Sequence, residues 1–164
     1  HPVDWMAPHL RRGAWLLAHV NLLDDVHIPL LAACGASVAY CPVASDYFGH
    51  RRHRYRELLA AGVNVCLGTD SILCQDAVEA QPLGILPQMR YLYQRDGTAP
   101  STLLAMATTR GAHALGLPAG TATLLPGARA DLYTIRINPD DPTDAMTQAL
   151  NATTPVKPIE DPGD

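Results

Sequence analysis

Short and nearly continuous apolar runs alternate with longer mixed segments through the first half of the chain. Continuous apolar runs are typical of strands that are buried on both faces, as in a parallel sheet. The runs predict strands at residues 14–20, 36–40 and 63–67. Helices are predicted around them at residues 2–12, about 24–34 and about 54–61. This alternation of strand and helix predicts an α/β fold.

The chain nearly repeats itself before the second and third predicted strands. Residues 30–34 are Leu-Leu-Ala-Ala-Cys and precede Gly35, while residues 58–61 are Leu-Leu-Ala-Ala and precede Gly62. A glycine in this position is typical of a helix that ends in the left-handed backbone conformation. We therefore expect two helix–glycine–strand units, separated by a polar loop over about 43–53.

The second half of the sequence has a different pattern. Helices are predicted over about 79–94 and 100–116, then a hairpin or small β unit over 120–137 with a turn at Pro126-Gly127. From Asn138 onward the chain is rich in Pro, Asp and Thr and is expected to be irregular. Three strands cannot close an eight-stranded barrel, so the pattern allows a small open sheet or the last third of a barrel.

Composition narrows the classes of partner. The 164 residues are 48% hydrophobic and 17% charged, and their net charge of −4 gives no electrostatic basis for binding nucleic acid. No apolar run approaches the ~20 residues that span a membrane. The four cysteines form no Cys-x-x-Cys pair, which favours buried thiols and a cytoplasmic protein over a disulfide framework. A small-molecule substrate is the expected partner, and a homo-oligomer remains open.

Two polar side chains follow predicted strands. Asp70 comes after the 63–67 run and Gly68, and His19 ends the run that begins at Trp15. Because the carboxyl ends of parallel strands meet at one edge of a sheet, we expect these side chains to share that edge. A carboxylate there can bind a divalent metal and accept a proton, and an imidazole can orient a water. Structural roles, a cap for Asp70 and a buried histidine for His19, are the commoner ones for such residues and are favoured from the residues alone.

Several motifs occur in register along the sequence. They are His19-Val20-Asn21, Ala39-Tyr40-Cys41-Pro42, Leu67-Gly68-Thr69-Asp70-Ser71, Gly111-Ala112-His113-Ala114-Leu115-Gly116-Leu117 and Leu125-Pro126-Gly127-Ala128-Arg129-Ala130-Asp131-Leu132. Together they resemble the second half of an amidohydrolase-superfamily enzyme of the deaminase and chlorohydrolase branch. The resemblance covers about residues 2–137.

The resemblance implies a fold and its boundaries. The chain would be the C-terminal part of a (β/α)8 TIM barrel, about strands six to eight with their helices, plus a short piece of the accessory β domain. Residues 1–117 would belong to the barrel and 118–137 would return to the small β domain. Residues 138–164 would form an irregular C-terminal tail.

The resemblance also implies a metal-dependent hydrolase acting on non-peptide carbon–nitrogen bonds. The expected reaction is deamination of an aminated heterocycle or nucleoside-like compound by metal-bound hydroxide. Asp70 would bind the divalent metal, zinc or else iron, and Asp70 and His19 would be the catalytic residues. The alternative is a non-catalytic α/β module in which His19 and Asp70 are structural.

The missing ligands and one departure from the family pattern affect this expectation. The family's His-x-His pair, and its His and Glu around the fifth strand, match no residue here, so the 164 residues alone are expected to be inactive. The family's Ser-Asn after the Cys-Pro strand is replaced by Ala44-Ser45-Asp46. Because this loop differs from the family pattern, the resemblance does not identify the substrate. The candidate substrate contacts are Asp46, Tyr47, His50 and Ser71.

Overall fold

A computed structural model of the chain describes residues 1–74, 83–128, 132–152 and 157–159. A parallel sheet contains β1 (Leu16–Ala18), β2 (Ser37–Tyr40) and β3 (Asn64–Leu67) in that order, and β4 (Tyr133–Thr134) pairs antiparallel with β5 (Lys157–Pro158). The described helices are α1 (Pro2–Leu10), α2 (His27–Cys34), α3 (Pro42–Tyr47), α4 (Tyr55–Ala60), α5 (Ile85–Asp96), α6 (Pro100–Ala107), α7 (Thr109–Ala114) and α8 (Ala145–Asn151). None of these helices is long and apolar enough to cross a bilayer.

The three parallel strands end in step. Ala18 pairs with Ala39, and Ala39 pairs with Cys66, so neighbouring strands show no stagger that would separate their carboxyl ends. The ladder continues past the strands, because His19 N donates to Ala39 O at 2.8 Å and Gly68 N donates to Tyr40 O at 2.9 Å. The residues that follow β1 and β3 therefore leave the same edge of the sheet.

The predicted helix–glycine–strand units are present. Gly35 follows α2 with φ 64°, and Gly62 lies one residue beyond the C-cap of α4 with φ 85°. Both angles lie in the left-handed region, where glycine has no steric penalty. Each glycine turns the chain directly from a helix into the next parallel strand, as the repeated sequence indicated.

The main apolar core of the described residues lies between the sheet and its helices. It includes Val38 and Tyr40 of β2 and Val65 of β3, all fully buried. Helices α1, α2, α4, α5, α6 and α8 complete it with the following buried side chains: Leu10, Leu31, Leu58, Leu92, Leu103, Met106 and Leu150. β1 is less covered, since Leu16 is 40% exposed. The best-buried strands are thus β2 and β3.

Two predicted elements differ from the structure. The polar loop expected over 43–53 begins with α3, whose first residue is Pro42, a favourable residue for a first helical turn. The single helix expected over 100–116 is two helices that meet at Thr108, where φ is −125° and ψ is −92°. The Thr108 hydroxyl donates to Leu104 O at 2.6 Å, and this local bond competes with helix continuation.

The C-terminal tail expected to be irregular over 138–164 contains α8 and β5, so that expectation was wrong for these segments. Asp144 caps α8 by accepting from Thr147 N, and Leu150 is fully buried in the core. Arg90 of α5 donates through Nε and Nη2 to Ala149 O, both at 3.1 Å. The Asp144 cap and these tertiary contacts order a segment whose composition predicted no regular structure.

The β unit expected over 120–137 is only partly described. β4 lies within the β unit predicted there, but its partner is β5 rather than a neighbouring hairpin strand. Residues 129–131 of that predicted unit lie outside the described residues. The same holds for residues 79–82 of the helix predicted over 79–94, whose described part is α5.

Candidate active site

His19 and Asp70 meet at the carboxyl edge of the sheet. His19 Nε2 lies 3.6 Å from Asp70 Oδ2, and the two side chains are 39% and 29% exposed. Each is therefore accessible to solvent while it faces the other. The structure brings together the two residues that sequence reasoning placed at separate strand ends.

Unusual backbone angles aim these side chains. His19, Val20 and Asp70 have φ values of 63°, 55° and 57°, all in the left-handed region. Asp tolerates this region, but a β-branched residue such as Val20 is a genuine outlier there. Val20 N donates to Ala18 O at 2.9 Å, which closes a tight three-residue turn centred on His19. Such strain costs about 1–3 kcal/mol per residue and persists only where surrounding contacts enforce it.

Gly68 allows the turn that carries Asp70 to lie directly on β2. A Cβ at Gly68 would lie 2.8 Å from Cys41 Sγ, far inside van der Waals contact. The residue thus serves close packing rather than a left-handed angle, since its φ is not positive. The neighbouring strands can approach at their ends only because position 68 has no side chain.

Cys41 is a packing group beneath this turn. It is 5% exposed and clusters with Ala44 and Cys74. Burial, and then the carboxylate of Asp70, raise the pKa of the Cys41 thiol to about 11, although the backbone N–H of Asp70 opposes the rise. The thiol is therefore protonated at neutral pH and is not an activated nucleophile.

His53, the last residue of the predicted 43–53 loop, is buried and contacts the backbone of His19. His53 is 8% exposed, and its Nε2 lies 2.6 Å from the carbonyl oxygen of His19, which can only accept. Its ring stacks on Tyr40 with centroids 3.8 Å apart and an interplanar angle of 14°. Burial lowers the pKa of His53 to about 4, so the ring is neutral at pH 7 with its proton on Nε2. Nothing local in the sequence distinguishes His53 from the histidine at position 50.

Asp46 anchors α3 to α5. Its Oδ2 accepts from the Tyr91 hydroxyl at 2.6 Å, and Arg51 Nε lies 2.9 Å from Oδ1. Burial, and then Asp46, raise the pKa of Tyr91 to about 12, so the phenol remains a donor. The Asp46 side chain is still 28% exposed. The Asp46 carboxylate is thus fixed by Tyr91 and Arg51 while it remains partly exposed to solvent.

The other candidate substrate contacts have varied surroundings. Tyr47 is 61% exposed and packs edge-to-face on Phe48, with ring centroids 5.0 Å apart. His50 is half-buried, and its backbone N donates to Ser45 O at 2.7 Å. Ser71 Oγ accepts from Leu73 N at 3.2 Å and starts a short 3-10 turn. Tyr47 is thus the last residue of α3, while His50 and Ser71 lie in the segments that follow α3 and β3.

Residues 1–159 match the family model described as the amidohydrolase family. The chain belongs to the amidohydrolase family. A 5'-deoxyadenosine deaminase of Methanoregula boonei is 36% identical over 148 residues, which cover 80% of this chain and 33% of that relative. The chain thus spans about a third of the length of this relative.

Solved structures agree with this assignment. The atrazine chlorohydrolase of Arthrobacter aurescens TC1, complexed with zinc, is 28% identical with a TM-score of 0.60, over 71% of this chain and 26% of that one. An adenosine deaminase from Xanthomonas campestris with bound zinc has a TM-score of 0.72 at 23% identity, over 84% of this chain and 33% of that one, and this likeness concerns the fold alone. Family and neighbours imply a TIM-barrel-type fold, of which the chain forms a partial α/β unit.

The side chains at the carboxyl edge of the sheet could supply some, but not all, of the ligands of a metal ion. Within the described part of the chain the Asp70 carboxylate accepts no hydrogen bond, so its lone pairs are free to bind a cation. Zinc normally takes at least three protein ligands. The carboxyl edge of the described sheet offers one carboxylate and the neighbouring imidazole. Asp70 therefore suits a metal ligand, while a complete set is not found among the described residues.

A second cluster joins α1 to the start of α2. Ligating atoms of His1, Asp4 and His27 lie within 4.8 Å of one another. The Nδ1 of His1 accepts from Val3 N, and the Nδ1 of His27 accepts from Asp24 N. Neutral rings held in this way carry their proton on Nε2, where His27 faces Asp4 at 3.3 Å. Neither Nε2 has a free lone pair, so the cluster links helices rather than forming a metal site.

A surface cavity of about 650 Å³ lies apart from this edge, between α4 and α6. Arg56, Asp96 and Arg110 are among its lining residues, whereas His19 and Asp70 are not. Arg56 already donates to Asp96 O and lies 3.3 Å from Thr98 Oγ1. The cavity is therefore not part of the candidate active site.

The contact between Gly68 and Cys41 makes a substitution test possible. We expect Gly68→Ala to lower the free energy of unfolding by about 1–3 kcal/mol through overpacking, measured by urea denaturation. Gly111→Ala is the matched control, because a Cβ there meets no atom within 4 Å and the residue lies in α7. Cys41→Ala combined with Gly68→Ala should recover part of the loss. Equal losses at positions 68 and 111 would contradict the close packing.

Burial of His53 predicts acid sensitivity. Above pH 6.5 the ring is neutral in both the folded and the unfolded chain. As the pH falls from 6.5 toward 4, the unfolded chain binds a proton that the folded chain does not, so stability is lost by on the order of 3 kcal/mol. Arg95 and His19 also face the ring and disfavour its protonation.

Urea midpoints at pH 7 and pH 4.5 measure this loss. His53→Phe should show a smaller decrease between the two pH values than the unsubstituted chain. His113→Phe, on the exposed part of α7, should retain the full decrease. Identical decreases in all three proteins would show that another group is responsible.

Proposed function

We propose that the chain is the C-terminal barrel portion of a metal-dependent hydrolase that deaminates an aminated heterocycle or nucleoside-like compound. In this proposal β1, β2 and β3 are strands six, seven and eight of the barrel. Residues 1–117 belong to the barrel, and 118–137 lead to an accessory β domain. The observation that carries the proposal is the 3.6 Å approach of His19 Nε2 to Asp70 Oδ2 at the carboxyl edge of a parallel sheet.

The relatives support this reaction class. The Methanoregula boonei relative is named a 5'-deoxyadenosine deaminase, and a solved neighbour is an atrazine chlorohydrolase with zinc. Both names describe hydrolytic replacement of a substituent on a nitrogen heterocycle. Zinc is therefore the proposed metal and Asp70 its proposed ligand, with further ligands supplied by polypeptide beyond the described residues. When bound, a divalent metal makes a water acidic enough to react near neutral pH.

The two side chains have distinct proposed tasks. Asp70 accepts a proton from the attacking water and delivers it to the departing amine, so the nitrogen leaves as ammonia. The second hydrogen of the water ends on the ring nitrogen of the product, and its oxygen becomes the carbonyl. His19 lies beside Asp70 and hydrogen-bonds the water or the attacked atom, which orients the attack. Asp46, Tyr47, His50 and Ser71 are the proposed contacts to the rest of the substrate.

The full-length enzyme provides the main test. Its metal content, and its release of ammonia from aminopurines, pyrimidines and triazines, should identify a zinc-containing deaminase. Asp70→Asn should lower the zinc content and reduce kcat by about 10²–10⁴-fold, because both a ligand and a proton acceptor are lost. Asp140→Asn, an exposed carboxylate in a loop, is the matched control. The absence of both bound metal and hydrolysis in the unsubstituted enzyme would favour a non-catalytic α/β module. Unchanged zinc content and kcat in Asp70→Asn would show that Asp70 is neither a metal ligand nor the proton acceptor.

The isolated 164 residues should behave differently. We expect calorimetric titration with zinc chloride to show only weak binding, and ammonia assays to show no activity, because one carboxylate cannot hold zinc by itself. Asp70→Asn should leave this weak zinc binding unchanged. A tight one-to-one zinc complex that is lost in Asp70→Asn would contradict this expectation.

A further inference from the structure

The backbone of His19 is fixed on both sides of its Cα. Its N–H donates to Ala39 O at 2.8 Å, which ties it to β2. Its carbonyl oxygen accepts from His53 Nε2 at 2.6 Å. With both flanking peptide groups bound, φ and ψ of His19 have little freedom. The left-handed angles at His19 and Val20 are therefore enforced by two partners on different elements.

His53 is itself held rigidly. It is 8% exposed, and its ring stacks on Tyr40, whose centroid lies 3.8 Å away. The Tyr40 hydroxyl in turn accepts from Arg95 Nη2 at 3.0 Å. Tyr55 lies on the same aromatic cluster, with its ring centroid 6.3 Å from that of His53. The donor to the His19 carbonyl is thus positioned by β2, α4 and α5 together.

The ring chemistry of His53 suits only this role. A carbonyl oxygen cannot donate, so His53 Nε2 carries the proton of the neutral ring. Nδ1 is then an acceptor, and it is buried without a hydrogen-bond partner among the described residues. Leaving a buried acceptor unsatisfied is unfavourable. A side chain selected for stability alone would not need that nitrogen, which indicates that the Nε2–H donor is the useful group.

We propose that His53 is a positioning residue for catalysis, whose hydrogen bond to the His19 carbonyl holds the left-handed turn that aims the His19 imidazole at Asp70. This inference rests on the proposed function for its kinetic consequence. The hydrogen bond, the stacked ring and the enforced backbone angles do not depend on it. His53 touches neither the reacting atoms nor Asp70, and it acts only through the backbone of His19.

His53→Phe is the decisive substitution in the full-length enzyme. Phe keeps the stacked ring and the volume but removes the donor, so the fold should be retained. We expect kcat to fall about 10- to 100-fold with KM changed less than about threefold, because the imidazole is displaced rather than the substrate contacts. His53→Gln retains an N–H donor and should keep more of kcat than Phe, even where its stability is lower.

Hydrogen–deuterium exchange measured by mass spectrometry gives a readout that is independent of activity. In His53→Phe, exchange should accelerate in the peptide covering residues 16–22 and remain unchanged in peptides from β2 and β3. His113→Phe, the same change on an exposed part of α7, should alter neither exchange nor kcat.

Two results would overturn the inference. One is unchanged exchange at residues 16–22 with unchanged kcat in His53→Phe. The other is a fall in kcat that follows thermal stability equally in Phe and Gln, since that pattern indicates a core residue. If the unsubstituted enzyme hydrolyses no substrate, the proposed function fails, and the exchange data still decide whether His53 holds the turn.

Discussion

The three parallel strands end in step, and the rest of the candidate site depends on that register. Ala18, Ala39 and Cys66 lie side by side, so the residues that follow β1 and β3 emerge along one edge. Left-handed backbone at His19 and Asp70 then turns each side chain toward the other. A register shift between strands, or ordinary extended backbone at either residue, would separate the imidazole from the carboxylate.

The sheet and the position of the two candidate site residues could be predicted because their signals are local. Continuous apolar runs mark buried strands, and Gly35 and Gly62 mark where helices end. A polar residue directly after such a strand lies at the carboxyl edge in any parallel sheet. The pairing of His19 with Asp70 follows from this rule without knowledge of the side-chain packing. The family resemblance added their chemical roles, not their placement.

The features that escaped prediction are set by contacts distant in sequence. α8 forms because Leu150 is buried in the core and the carbonyl oxygen of Ala149 accepts a hydrogen bond from Arg90. The sequence around α8 is nevertheless rich in polar residues and proline. The break at Thr108 depends on one hydroxyl that bonds its own helix. His53 looks like its loop neighbours in the sequence and becomes distinctive only when Tyr40 lies beneath its ring. Periodicity and composition carry no information on these contacts.

One hydrogen bond joins the two loops that border the candidate site. Ser45 Oγ of α3 donates to Asn21 Oδ1, two residues after His19, at 2.8 Å. Arg54 makes a parallel connection, with Nη1 donating to Leu23 O and Nη2 pairing with Asp25. Segments after β1 and β2 are thereby fastened to each other before any compound arrives. The segments after β1 and β2 therefore have a fixed arrangement before any compound binds. The conformational entropy of these two segments is lost during folding rather than on association.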